Sequence, residues 1–73
     1  MAKYDLVGVD GNAYSVMGYT ANALKREGLK DEANKMYEEA TSGDYNNLLC
    51  VCIKYVDMAN KKAEENGYID EED

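Results

Sequence analysis

Leu48-Leu49-Cys50-Val51-Cys52-Ile53 is the one stretch of the chain in which apolar residues run on without polar interruption. Placed on a helix from about Asp44 to Asn66, it aligns Tyr45, Leu48, Leu49, Cys52, Ile53, Val56, Ala59 and Ala63 on one face, at the i, i+3, i+4, i+7 spacing of a buried stripe. Val51, Tyr55 and Met58 widen that face, leaving Cys50, Lys54, Asp57 and Lys61 for a plainly polar side. The apolar arc then exceeds the ~100° of an ordinary surface helix, so it needs cover from more than one direction.

The rest of the chain is read as that cover. Lys3-Tyr4-Asp5-Leu6-Val7-Gly8-Val9-Asp10 has strand character, with Tyr4 and Leu6 on one side and Val7 and Val9 on the other. No second convincing strand is present, so its partner is expected to be Gly67-Tyr68-Ile69 or another molecule. Asp10-Gly11-Asn12 is turn chemistry, and Asn12 is placed to cap a first helix running to about Glu27, with Gly28 beyond its end. Its inner stripe is Ala13, Val16, Met17, Thr20, Ala21 and Leu24; Gly18 inside it calls for a packing reason such as close approach of another backbone. A second helix, about Lys30 to Thr41, carries Ala33, Met36, Tyr37 and Ala40 on one stripe. Gly43 closes it and Asp44 caps the third, a connection so short that the two helices must be neighbours.

The expected fold is therefore mainly α: a small three-helix domain with one N-terminal β-strand and the third helix central. Residues 1–66 form the single domain and residues 67–73 an acidic C-terminal tail. The surplus arc of the third helix and the unpartnered strand both predict a homodimer. A chain of 73 residues removes only ~60% of its extended surface from water, and self-association would add burial.

Fifteen acidic against 8 basic side chains leave a formal charge of -7, which disfavours direct binding to nucleic acid or anionic membranes. With no apolar signal core and no run approaching the ~20 apolar residues of a membrane span, the chain is expected in the cytoplasm. Cys50 and Cys52 lie i, i+2 on a helix, about 200° apart, so they neither bridge nor converge on an ion. Cys52 is expected buried and Cys50 free and partly exposed. The chain has no His, so a zinc site would need carboxylates or a second chain, and none is expected.

No residue set stands out as catalytic, cofactor-binding or metal-ligating. Val7-Gly8-Val9-Asp10-Gly11-Asn12-Ala13 has the outline of a phosphate-binding turn, yet lacks its glycine spacing, its lysine and its Ser/Thr, and puts Asp10 where a phosphate would sit. Asp5, Asp10 and Asp57 are the only acids flanked by apolar sequence, the setting a general acid or base needs. Seven tyrosines without Phe or Trp suit either a thin amphipathic core or a contact surface. Asp31, Glu32, Glu38 and Glu39, with Glu64, Glu65 and the C-terminal acids, form rows that could imitate a phosphate backbone, though Lys35, Lys61 and Lys62 interrupt them.

Two motifs carry a resemblance. Asp10-Gly11-Asn12-Ala13-Tyr14 followed by Met17-Gly18, then Glu38-Glu39-Ala40-Thr41-Ser42-Gly43-Asp44-Tyr45 with Leu48-Leu49, resemble a set of short acidic proteins of Gram-positive bacteria, their phages and integrated elements. The resemblance spans residues 4–58 and implies an origin without implying an activity. The function expected is a non-enzymatic protein-interaction module, a phage or mobile-element accessory protein. Its surface is expected to comprise Tyr19, Glu38, Glu39, Val51, Tyr55 and Met58. The alternative is an acidic DNA mimic that inhibits a nucleic-acid-binding or defence protein. A small enzyme or metabolite binder is a third reading, which would require an enclosed polar pocket.

Overall fold

A computed structural model describes residues 2–69 of the chain. Three helices, α1 (Ala13–Arg26), α2 (Lys30–Ala40) and α3 (Tyr45–Glu65), each pack against the other two. Among the described residues no helix is long and apolar enough to cross a membrane.

The helix ends fall where local chemistry puts them. Asn12 caps α1 by accepting from the Tyr14 N–H at 2.8 Å, and Asp44 caps α3 by accepting from the Asn47 N–H at 2.9 Å. Gly28, at φ 80°, turns the chain out of α1 while the Leu29 N–H reaches back to the Leu24 carbonyl. Gly43 ends α2 for a different reason than a left-handed turn. A Cβ there would come within 3.0 Å of the Asn47 side chain, whose amide donates to the Glu39 carbonyl and ties the end of α2 to the start of α3.

The core is built from Val16, Met17, Thr20, Ala21, Ala23 and Leu24 of α1, Ala33, Met36 and Ala40 of α2, and Leu48, Cys52, Tyr55, Val56, Ala59 and Ala63 of α3. Alanines recur on every contact face, which lets the helices approach closely. The α3 stripe is rotated from the one its periodicity suggests. Tyr55 is buried, whereas Ile53 is 54% exposed and Tyr45 also faces out. Tyr37 of α2 is exposed as well. The inward seam of α3 runs through 48, 52, 55, 59 and 63, a choice the facing helices make and the run Leu48–Ile53 leaves open. Cys52 is fully buried and Cys50 exposed, and neither is in a disulfide. Burial pushes the Cys52 thiol up, against a lowering contact with the Thr20 hydroxyl.

The N-terminal strand does not form; among the described residues there is no β-strand. Residues 2–11 instead make an irregular arm against α3 and α1, with a tight turn in which the Val9 N–H donates to the Leu6 carbonyl and Gly8 takes φ 89°. A strand needs a partner for its backbone, and here one side chain serves. The Tyr4 N–H donates to Asn60 Oδ1 at 2.8 Å, and Asn60 Nδ2 donates to the Tyr4 carbonyl at 2.9 Å. Gly67-Tyr68-Ile69 does not pair with the arm as a strand either. Gly67, at φ 101°, closes α3, the Tyr68 N–H donates to the Ala63 carbonyl, and the Tyr68 ring packs on the core. The acidic run at 70–73 lies outside the described residues. Of the two features behind the expectation of a homodimer, the arm finds backbone partners within the chain, while the surplus arc of α3 leaves Ile53 and Tyr45 exposed.

Gly18 has no close neighbour: a Cβ built there meets nothing within 4 Å outside its own helix. Gly18→Ala is expected to stabilise the domain by about 1 kcal/mol through helix propensity alone. Thermal denaturation should show a rise of roughly 4–8 °C, and a fall would reveal a contact that only glycine permits.

Candidate docking groove

One carboxylate joins three elements at the edge of the helical core. Glu27 is the C-cap residue of α1 and is only 4% exposed. Its Oε2 accepts from Lys3 Nζ at 2.8 Å and from the Tyr4 hydroxyl, while Oε1 accepts from Asn66 Nδ2 at 3.1 Å. The arm, the end of α1 and the end of α3 therefore meet at a single side chain. The Lys3 hydrogen bond, followed by those from Tyr4 and Asn66, holds the Glu27 carboxyl down at about 2 against an ordinary 4.5, in spite of burial. Burial and the same carboxylate push the Tyr4 hydroxyl up.

The arm gains further anchors from α1. The Asp5 N–H donates to the Tyr19 hydroxyl at 2.9 Å, and the Tyr4 and Tyr19 rings meet edge to face with centroids 6.5 Å apart. Asp5 Oδ1 then accepts from the Val7 N–H at 2.9 Å, turning the chain toward Gly8. Held in this way, the arm and α3 enclose a groove of about 360 Å³. Leu6, Ile53 and Val56 give it an apolar lining, Val7 stands at its edge 87% exposed, and Asp5 and Asp57 supply its carboxylates.

Two of the three acids singled out by apolar flanks, Asp5 and Asp57, thus line one groove; the third, Asp10, accepts from the Asn12 N–H in the turn before α1. Of the residues expected to form an interaction surface, the structure brings Tyr55 and Glu39 into contact. Tyr55 is buried, and its hydroxyl donates to Glu39 Oε2. Burial, then that bond, pushes it up to about 12. Glu39 also accepts from Lys54 Nζ at 2.7 Å, and the Lys54 and Tyr55 hydrogen bonds hold its carboxyl below the usual range. Tyr19 is half-buried under the arm, and Val51 is half-buried against the core. Met58 faces a neighbouring cleft with Leu29, where Lys54, Lys61 and Lys62 stand beside Asp57 and Glu65. Glu38 lies open on the surface of α2, away from the groove's lining.

Four of the seven tyrosines are fasteners. The hydroxyls of Tyr4, Tyr45 and Tyr55 donate to Glu27, the Gly11 carbonyl and Glu39 respectively, and that of Tyr19 receives Asp5. The acidic rows are likewise broken up by pairing: Glu32 with Lys35, Glu39 with Lys54 and Glu65 with Lys62. Among the described residues no three His, Cys, Asp or Glu side chains are grouped to hold a metal ion. No sequence signal pointed to Ile53 as a groove residue, because its periodicity reads as core; Val7 was legible only as one side of a strand. Comparison with known protein families, curated proteins and solved structures finds no match.

Since the Glu27 carboxyl is lower in the folded chain than in the unfolded one, its pairing stabilises the fold above pH 4.5. That contribution is lost as the pH falls from 4.5 toward about 2. Glu27→Gln is expected to cost ~2 kcal/mol at neutral pH and to flatten the loss of stability across this window. Equal acid sensitivity of the two proteins in pH-dependent thermal melts would show that the carboxylate is not the group responsible. Asn60→Asp keeps the acceptor for the Tyr4 N–H but turns the donor into an oxygen facing the Tyr4 carbonyl. Amide exchange at Tyr4 should quicken by roughly tenfold, with α1 protection retained.

Proposed function

We propose that the chain is a non-enzymatic protein-interaction module that binds a partner protein through the groove between its arm and α3. The observation that carries this reading is the exposure of two branched aliphatic side chains, Val7 and Ile53, along a groove whose walls are already held in place. Ile69 is exposed as well but does not line this groove; Val7 and Ile53 gain nothing in stability from standing in water side by side along it, whereas an interaction site uses such residues. The fixed wall matters too, because a groove built before binding avoids the entropy of ordering the arm at the moment of contact.

The resemblance of the Asp10–Tyr14 and Glu38–Leu49 motifs to short acidic proteins of Gram-positive bacteria and their phages supports an accessory role in a phage or mobile element. In this setting the acidic faces of α2 and α3 serve chiefly solubility, given the pairing of Glu32, Glu39 and Glu65 with lysines.

The test is affinity capture from a Gram-positive bacterial lysate with wild-type protein, Ile53→Glu and Glu38→Gln side by side. A protein retained by wild type and Glu38→Gln but released by Ile53→Glu is the expected result. Retention that is indifferent to Ile53→Glu would remove the groove as the site, and loss on Glu38→Gln would return the role to the acidic face.

A further inference from the structure

If the groove is the interaction site, its lining specifies more than an apolar contact. Its charged lining residues are both acids, Asp5 and Asp57. Elsewhere the carboxylates of Glu27, Glu32, Glu39 and Glu65 each have a lysine partner, but neither Asp5 nor Asp57 has one among the described residues. The apolar walls are thus bordered by two carboxylates outside any ion pair among the described residues, Asp5 and Asp57, the latter shared with the neighbouring cleft that holds Lys54, Lys61 and Lys62, on a protein of formal charge -7.

The arm's backbone narrows the choice further. The N–H groups of Tyr4, Asp5, Val7 and Val9 are already donated to Asn60, Tyr19, Asp5 and Leu6 respectively. The Tyr4 carbonyl is taken by Asn60 as well. Strand addition needs a row of free donors and acceptors, and this edge does not offer one. A ligand must therefore be held by its side chains, as when an amphipathic helix lays an apolar face into a groove. A second copy of this chain fits poorly, since it would bring a further -7 and the same pair of aspartates against the first.

We propose that the groove receives a basic amphipathic helix of a partner protein, with an aliphatic side chain seated on Leu6, Ile53 and Val56 and Lys or Arg side chains against Asp5 and Asp57. The apolar anchor sets the residence time, and the aspartates set orientation and salt dependence.

The test uses ¹⁵N-labelled full-length protein titrated with a 14-residue Leu/Lys amphipathic peptide and, separately, with its Leu/Glu counterpart. Shift changes confined to the arm and to the α3 positions around Ile53, Val56 and Asn60, seen with the Leu/Lys peptide alone, are expected. Ile53→Glu, at a half-exposed position and so compatible with folding, should weaken binding by roughly tenfold or more. Asp5→Asn with Asp57→Asn should leave the dispersed spectrum intact, since Asn at position 5 still accepts from the Val7 N–H, and should lessen the salt dependence. Shifts scattered over the acidic face of α2, or equal binding of the Leu/Glu peptide, would overturn the proposal. So would concentration-dependent shifts at the groove without peptide, which would assign it to a second copy. These failures are separable from failure of the interaction reading: a captured protein that Ile53→Glu releases would keep the groove as a docking site even if neither peptide bound.

Discussion

The carboxylate of Glu27 is the constraint on which the outer half of the structure depends. A negative side chain at the C-terminal end of a helix faces the wrong end of the helix dipole, and a buried one is costlier still. It persists here because Lys3, Tyr4 and Asn66 satisfy it. The interaction links positions 24, 23 and 39 residues away in sequence, so the arm cannot be displaced without stranding a buried charge. Groove geometry follows from this arrangement together with the Asn60 and Tyr19 contacts of the arm.

The same device occurs twice. Lys3 and Tyr4 close on Glu27; Lys54 and Tyr55 close on Glu39, each lysine also lying near the ring of the adjoining tyrosine. A lysine next to a tyrosine can offer one carboxylate both a charge and a hydroxyl, while the ring covers apolar surface. For a chain with many acids and a small core, this turns excess charge into attachment points between elements. Asparagine side chains do the comparable work for the backbone. Asn12 caps α1, Asn47 takes a carbonyl at the end of α2, and Asn60 pairs the backbone N–H and carbonyl of Tyr4. Side-chain amides thereby replace the ladder that a sheet would have supplied.

Around the groove, the division of labour is plain. The alanine-lined helical core provides rigidity, the Glu27 and Asn60 contacts fix one wall, and Ile53 is turned outward on the other. Were α3 rotated to bury Ile53, Tyr55 would be carried away from Glu39, and the clamp between α2 and α3 would open. Exposure of the groove's aliphatic residue is thus coupled to satisfaction of a buried hydroxyl on the inner side of the same helix.

The amino-acid sequence by itself determined the set of three helices, their caps at Asn12 and Asp44, the glycine exit at Gly28, and the separation of a buried Cys52 from an exposed Cys50. The helices, caps and glycine exit arise from contacts within about one helical turn and the split between the cysteines from helical period, and both leave a periodic or local trace. Tertiary structure alone decided that residues 2–11 form an arm and not a strand, that the α3 seam includes Tyr55 and not Ile53, and that Asp5 and Asp57 line one groove. Those outcomes depend on partners such as Asn60 and Tyr4, 56 residues apart, which neither hydrophobic spacing nor residue preference can bring together. An apolar alternation announces that a segment has two faces; it carries no record of whether another strand or a single side-chain amide will answer its backbone.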